Sequence, residues 1–382
     1  MNDAALGLAW PDQGLGEPER LPVALLTGFL GSGKTTLLSR LLRHPGMART
    51  AVIINEFGEV PIDQALIERS DHQAMVLSGG CLCCALGQDL GETLTTLYSR
   101  RAAQPFDRVA IETSGLADPT PILQRLQQTP ELHRIYRIDS VVATVDAIQG
   151  ERELGRQRVS LKQVAIADQL VLTKGDIASR RAVERLQLLL ADINPTAPII
   201  RADAGDVDPD DFFPSARYEN EDVRRWLPGA VHVRHDHACG TGEHKHHRSS
   251  HHNHGIISFC LRFDQPIRWE PFAEAMALLL QTHGERLLRV KGLVNVRGRT
   301  EPIVVQCVQH LFHPPFSLTA WPDGNRSSSL VFITDHLDQA TVTSFLTGIM
   351  DRSNETRGPT PSPAPGEGST RDAEVYASRI DG

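Results

Sequence analysis

The segment GFLGSGKTT, residues 28–36, places glycines, one lysine and two threonines between an apolar run and a stretch with helical spacing. This is the pattern G-x-x-x-x-G-K-T in the strand-to-helix context that phosphate binding requires, and that context disfavours a chance glycine-rich turn. The backbone N–H groups would surround the phosphates, with the Lys34 ammonium at the β and γ oxygens and the Thr35 hydroxyl on Mg²⁺. The predicted nucleotide-binding residues here are Gly28, Gly31, Ser32, Gly33, Lys34, Thr35 and Thr36.

Two later segments would complete a nucleotide site. In VAIETSGLADP an apolar strand ends in Glu112, which is predicted to organise Mg²⁺ directly or through water, and the Gly115 N–H would reach the γ-phosphate. In TKGD, residues 173–176, Asp176 can accept N1–H and the exocyclic N–H of guanine while the Lys174 stem lies along the purine. A solvated strand end and a surface turn are the respective alternatives. The predicted nucleotide is therefore GTP or GDP, with Lys34, Thr35 and Glu112 as the catalytic groups.

Three thiols are crowded into SGGCLCCALG, residues 78–87. In an extended segment Cys81 and Cys83 point to the same side, and the preceding glycines let Cys84 fold in. Three thiolates can share one Zn²⁺ and leave its fourth position open for transfer. A disulfide and an inert buried cluster remain alternatives. Cys260 and Cys307 lie in strand-like apolar runs and are predicted to be part of the core.

An acidic segment and a histidine-rich segment flank this chemistry. Residues 55–63, NEFGEVPID, suit either a loop that orders when γ-phosphate and Mg²⁺ bind or an ordinary solvated loop. We expect metal binding at the thiols, which lie between this loop and Glu112, to be coupled to the nucleotide state. Residues 231–255 are either a polar linker or a low-specificity reservoir for transition-metal ions. The candidate reservoir ligands are His232, His235, His237, His244, His246, His247, His251, His252 and His254, with Cys239 nearby.

Composition excludes several classes of partner. The chain has 382 residues, with 39 Lys and Arg against 47 Asp and Glu, so it offers no basic field for nucleic acid. No run approaches the roughly 18 apolar residues of a membrane helix. The first twenty residues lack the pattern of a secretion signal, so a cytoplasmic location is expected.

Short apolar runs alternate with helical patterns along the first half of the chain. Because these runs are apolar throughout, they predict a mainly parallel sheet with helices on both faces, a P-loop α/β domain. A second, smaller α/β domain is predicted after the histidine-rich segment. The predicted organisation is a flexible N-terminus (1–20), the nucleotide-binding domain (21–225), a His-rich linker (226–255), the smaller domain (256–350) and a disordered tail (351–382).

Taken in order, GFLGSGKTTLL, NEFGEV, GGCLCC, ETSGLADP and TKGD resemble the motifs of the CobW-like family of metal-handling P-loop GTPases. The later runs LLRVKG and QCVQHLF are similar to that family's C-terminal domain. The resemblance implies a GTPase that binds Zn²⁺, or Co²⁺ or Fe²⁺, at the C-x-C-C thiols and delivers it to a client metalloprotein. Hydrolysis is expected to be slow without metal or client, because no arginine is evidently placed to act as a finger in cis. Two residues depart from the usual pattern: Pro61 stands where relatives often have a small residue, and Thr173 replaces the more usual Asn.

Two other functions remain open from the sequence. A metal-buffering or sensing protein would use GTP only to set its conformation, and a small-molecule kinase would transfer phosphate to an acceptor other than water. The guanine pattern and the thiol triplet give the kinase no support. The sequence predicts neither the client nor the oligomeric state, and His283, His310, His313 and His336 are assigned no role.

Overall fold

The computed structural model describes residues 20–54, 75–78, 88–202, 207–213, 255–322 and 324–355. Over these ranges the strands form two separate sheets. The strands of the first sheet are β1 (Leu21–Gly28), β2 (Thr50–Ile54), β3 (Met75–Ser78), β4 (Arg108–Glu112), β5 (Tyr136–Asp146), β6 (Gln169–Thr173) and β7 (Ile199–Ala202). The helices that accompany them are α1 (Lys34–Leu41), α2 (Gln88–Arg100), α3 (Thr120–Gln128), α4 (Pro130–Ile135), α5 (Gly150–Leu154), α6 (Arg158–Ile166), α7 (Arg180–Ile193) and α8 (Pro209–Phe212), with a 3₁₀ turn at Pro45–Met47.

The first sheet has the order β3-β2-β4-β1-β5-β6-β7, and every pairing in it is parallel. Both faces of the central strand β1 are covered, because Val23 and Leu25 face one apolar cluster while Ala24 and Leu26 face another that includes α1. A parallel strand buried on two sides needs an apolar run without alternation, which is what the sequence shows. The predicted parallel P-loop sheet is confirmed. Strand β3 was not predicted, because its four residues MVLS are too short a run to stand out.

The second sheet is antiparallel. Its strands are β8 (Ile256–Phe263), β9 (Leu287–Val294), β10 (Ile303–Val308), β11 (Leu311–Phe312), β12 (Phe316–Ser317) and β13 (Ser328–Asp335), in the order β11-β10-β9-β13-β8 with β12 paired to β10. Two helices, α9 (Trp269–His283) and α10 (Gln339–Glu355), pack together and share an apolar cluster with one face of this sheet. The sheet and its two helices agree with the smaller α/β domain predicted after the histidine-rich segment.

The other face of the second sheet closes the core of the nucleotide-binding domain. Ile256, Leu288 and Ile333 belong to the same apolar cluster as Leu161 of α6 and Leu190 of α7. One apolar cluster therefore spans both sheets, so each domain buries part of the apolar surface of the other.

A buried ionic cluster lies within this shared core. Asp168, which precedes β6, forms ion pairs with Arg289 and Lys291 of β9, the latter at 3.0 Å. The second carboxylate oxygen of Asp168 accepts a hydrogen bond from the Val141 N–H at 3.0 Å. Burial raises the pKa of Asp168, but Arg289 and Lys291 outweigh burial and lower it to about 2, so the carboxylate is charged. His313 is buried beside this cluster, and burial lowers its pKa to about 4.

No helix among the described residues is long and apolar enough to cross a membrane. Cys307 is buried in the second domain as predicted, and burial raises the pKa of its thiol. Cys260 is only half-buried, with its sulfur 3.3 Å from the Ser329 hydroxyl. The domain boundary near residue 225, the His-rich linker up to residue 254, and residues 1–19 and 356–382 lie outside the described residues and stay predictions. The predicted start of the tail at residue 351 is wrong, because α10 continues to Glu355.

Candidate nucleotide-binding site

The glycine-rich segment forms the loop between β1 and α1, at the carboxyl edge of the sheet and beside the strands β4 and β5. Three of its glycines have positive φ, with values of 137° at Gly28, 73° at Gly31 and 92° at Gly33, which precedes the first residue of α1. A Cβ on Gly28 would also lie 2.8 Å from the Ser32 hydroxyl and 2.5 Å from the Thr144 carbonyl. The loop conformation thus requires glycine at these positions.

The Lys34 side chain is buried under this loop. Its ammonium donates to the carbonyl of Gly28 at 2.9 Å and of Phe29 at 3.1 Å, and the residue is 5% exposed. The ammonium is therefore fixed inside the loop whose amides are expected to receive phosphate oxygens.

Thr35 and Glu112 meet across the sheet edge. The Thr35 hydroxyl donates to Oε1 of Glu112 at 2.7 Å, and Glu112, the last residue of β4, is 1% exposed. A hydroxyl and a carboxylate are hard oxygen ligands of the kind that Mg²⁺ takes in phosphate sites. The two residues therefore fit a Mg²⁺ site at the start of α1.

The turn after β4 lies directly against the glycine-rich loop. A Cβ on Gly115 would stand 2.6 Å from the Leu30 nitrogen and 2.8 Å from its Cα, so only glycine allows this approach. The turn is held from behind by Gln163 of α6, whose amide donates to the carbonyls of Gly115 at 3.4 Å and Ala117 at 3.1 Å. Gln163 was not predicted as part of the site, because a glutamine in an amphipathic helix carries no signal of its own.

The segment 173–176 is bonded to the same loop. The Thr173 hydroxyl donates to the Ser32 carbonyl at 2.7 Å, and the Lys174 ammonium donates to the Gly31 carbonyl at 2.8 Å. The Lys174 ammonium also pairs with Asp146 at 2.6 Å, while Asp176 is exposed at the edge of the site. The structure thus brings Lys34, Thr35, Glu112, Gly115 and Lys174 to one edge of the sheet, and Asp176 follows Lys174 by two residues.

Asp146 is a residue of this site that the sequence interpretation missed. It ends the apolar strand β5 as Glu112 ends β4, so the same signal, an acid at the end of a buried strand, would have found it. Nearby, burial and then the Asp146 charge raise the pKa of Glu153, against the effect of the Lys174 and Lys34 ammonium groups. Acidic and basic side chains therefore lie close together at this edge of the site.

The segments expected to bind metal lie outside the described residues. These are the thiols Cys81, Cys83 and Cys84, the acidic segment 55–63 and all the histidines of 231–255. Within the ranges that are described, no group of three or more His, Cys, Asp or Glu side chains is arranged to hold a metal ion.

The strands that lead into two of these segments are nevertheless described. Strand β2 ends at Ile54, which pairs with Glu112 of β4 on one side and with Ser78 of β3 on the other. Neighbouring strands lie about 4.8 Å apart, so the backbone of Ser78, two strands away, lies roughly 10 Å from that of Glu112. Both the acidic segment and the thiol segment therefore leave the sheet at the edge that carries Glu112.

Comparison with known proteins gives consistent matches to both domains. A family model of the CobW/HypB/UreG nucleotide-binding domain matches residues 22–201, and a model of the cobalamin synthesis protein cobW C-terminal domain matches residues 256–350. The chain is 32% identical over 331 residues to the zinc chaperone YjiA of Escherichia coli K12, covering 86% of this chain and 98% of that protein. It is 31% identical over 360 residues to the zinc chaperone CobW of Pseudomonas aeruginosa, with coverage of 86% and 91%. The crystal structure of the Zn(II)-bound YjiA GTPase from E. coli matches with a TM-score of 0.64 at 29% identity, covering 87% of this chain and 99% of that one.

Proposed function

Because the chain belongs to the CobW/HypB/UreG family of P-loop GTPases, we propose that it is a GTP-hydrolysing metallochaperone that carries Zn²⁺ to a client metalloprotein. The names of its relatives support zinc as the cargo. The observation that carries the proposal is the shared sheet edge, since the thiol segment follows the strand that ends in register with Ile54 and Glu112. Co²⁺ and Fe²⁺ are alternative cargoes for the same ligands.

In this function the described residues bind GTP and orient its phosphates. Lys34 stabilises the negative charge on the β and γ phosphates, and the Gly115 N–H binds the γ-phosphate. Thr35 and Glu112 hold Mg²⁺, directly or through water. When bound, Mg²⁺ would supply positive charge that offsets the negative charge developing on the phosphates during hydrolysis. Lys174 and Asp176 select guanine over adenine.

The cargo is bound by the thiolates of Cys81, Cys83 and Cys84, with Zn–S distances of about 2.3 Å and one position left open for a client ligand. The acidic segment 55–63 orders when GTP binds, and it leaves the sheet beside the strand that precedes the thiols. Zn²⁺ and the γ-phosphate then favour the same conformation, so each changes the affinity for the other, by a coupling of about 1–3 kcal/mol. Hydrolysis releases the ion to the client. The histidines of 231–255 keep further ions nearby at low specificity.

The deciding experiment measures GTP hydrolysis by the reduced, full-length protein while Zn²⁺ is titrated. We expect Zn²⁺ to change the turnover rate, and the variant Cys83→Ala/Cys84→Ala to lose this response while still hydrolysing GTP. Cys260→Ala is the matched control, because its thiol is half-buried in the second domain, far from Glu112 in sequence. Equal turnover with and without Zn²⁺ in all three proteins would refute the coupling. A single turnover without continued phosphate release would instead indicate a metal-buffering protein in which GTP sets the conformation.

A further inference from the structure

The carboxylate of Asp146 is held from three sides, yet none of the roles proposed above uses it. Its Oδ1 accepts hydrogen bonds from the backbone N–H groups of Ile148 at 2.7 Å and Gln149 at 3.2 Å. Its Oδ2 lies 2.6 Å from the Lys174 ammonium, and the side chain is 5% exposed. A carboxylate buried with two amide donors and an ammonium is fixed in orientation. Asp146 thus provides a rigid anchor at the carboxyl end of β5.

Lys174 connects this anchor to the glycine-rich loop. The ammonium that pairs with Asp146 also donates to the Gly31 carbonyl at 2.8 Å, so one group bridges two segments. The backbone of Lys174 has a φ of 57°, a left-handed conformation that a residue with a side chain rarely adopts. Such a conformation persists when the surroundings hold it in place, as the contacts at the ammonium do here.

The preceding residue reinforces the bridge. The Thr173 hydroxyl donates to the Ser32 carbonyl at 2.7 Å, so consecutive residues of the segment 173–176 bind consecutive carbonyls of the glycine-rich loop. The Thr173 side chain also lies beside Gly33, where an added Cβ would stand 3.5 Å from the threonine methyl carbon. A displacement of either segment must therefore displace the other.

We propose that Asp146 is a positioning residue for nucleotide selection, which fixes the segment 173–176 on the glycine-rich loop through Lys174. The ligand class is a purine nucleoside triphosphate whose base offers the N1–H and 2-amino donors of guanine. Asp146 touches neither the base nor the phosphates in this scheme. Through Lys174 it couples recognition of the base to binding of the phosphates. The inference rests on the proposed role of Lys174 and Asp176 in guanine recognition.

The first test compares GTP with inosine triphosphate, which lacks the 2-amino group. Asp146→Asn keeps the side-chain shape and an acceptor for the Ile148 and Gln149 N–H groups but removes the charge that holds Lys174. We expect the KM for GTP to rise by about tenfold or more, as for loss of a charge-assisted hydrogen bond, and the preference for GTP over inosine triphosphate to fall. Asp146→Glu keeps the negative charge, so its KM for GTP and its preference for GTP should lie between those of the wild type and of Asp146→Asn. Glu151→Gln, in an exposed pair with Arg185 on the same side of the domain, is the matched control and should leave both unchanged.

A double-mutant cycle separates positioning from a general structural role. If Asp146 acts through Lys174, adding Asp146→Asn to Lys174→Met should change KM by less than about twofold. A full additive effect in that background would overturn the inference. So would an Asp146→Asn protein that melts at a lower temperature but keeps the wild-type preference between the two nucleotides. If Asp146→Asn does not fold, Asp146→Glu serves in the cycle, because the longer side chain moves the charge without removing it.

The outcomes also distinguish this inference from the proposed function. Wild-type protein that treats GTP and inosine triphosphate alike would overturn the guanine role of the segment 173–176 and this inference with it. GTP turnover that does not respond to Zn²⁺ would refute the metallochaperone proposal alone, because the cycle at Asp146 and Lys174 measures nucleotide selection with Mg²⁺ and without Zn²⁺.

Discussion

Removing the carboxylate of Asp168 should destabilise the protein more than any exposed ion pair can. Asp168 forms ion pairs with both Arg289 and Lys291, and all three side chains are buried between the two domains. Asp168→Asn would remove the carboxylate that pairs with the Arg289 guanidinium and the Lys291 ammonium, while both positive charges stay buried. Breaking a buried pair in this way costs about 3–5 kcal/mol, a large part of the 5–15 kcal/mol that holds a typical domain folded.

The assay is urea unfolding at pH 7, followed both by far-UV circular dichroism and by tryptophan fluorescence. Asp107→Asn is the matched control, because Asp107 pairs with Arg49 while 54% of its side chain is exposed, and such pairs contribute up to about 1 kcal/mol. The double variant Asp168→Asn/Lys291→Met should recover part of the loss, since one unpaired charge is removed with the carboxylate. If Asp168→Asn is no less stable than Asp107→Asn, the cluster does not hold the domains together and the reasoning is wrong.

Three further predictions concern pH, the turn after β4 and Mg²⁺. Burial lowers the pKa of His313 from 6.5 to about 4, so the contribution of the neutral imidazole to the free energy of unfolding is fully present above pH 6.5. That contribution, about 3 kcal/mol, is lost as the pH falls to 4. His313→Leu should therefore reduce the dependence of the free energy of unfolding on pH between about pH 4 and 7. Gly115→Ala places a methyl 2.6 Å from the Leu30 nitrogen and should lower GTP turnover at least tenfold, and turnover within twofold of wild type would contradict the close packing. Thr35→Val removes the hydroxyl bonded to Glu112 and should raise the Mg²⁺ concentration needed for half-maximal turnover, whereas Thr35→Ser should retain the wild-type requirement.

Much of the nucleotide site was predictable because local sequence determines it. The glycines at 28, 31 and 33 are required by backbone angles, and Glu112 ends a strand whose burial is evident from its apolar residues. Asp146 carries the same signal as Glu112, but it lies outside the motifs GFLGSGKTT, VAIETSGLADP and TKGD. Gln163 reaches the turn after β4 from a helix distant in sequence, and no local pattern encodes that contact.

The contact between the domains could not be predicted for a different reason. In LLRVKGLV the charges at Arg289 and Lys291 alternate with apolar residues, which is typical of a strand with one solvated face. All eight residues of β9 are buried instead, because the face carrying the charges lies against the first domain and its Asp168. The pattern of charges along one strand does not show whether solvent or another domain packs against its charged face.

The shared core has a consequence for how this polypeptide can be divided. Because Ile256, Leu288 and Ile333 complete the apolar cluster of α6 and α7, the attachment of the second domain does not depend on the intervening peptide. A protease cut within residues 231–254 should yield two fragments that migrate as one particle on gel filtration. The halves 1–230 and 255–382 should likewise assemble when they are produced together as separate chains, and each should aggregate when it is produced alone.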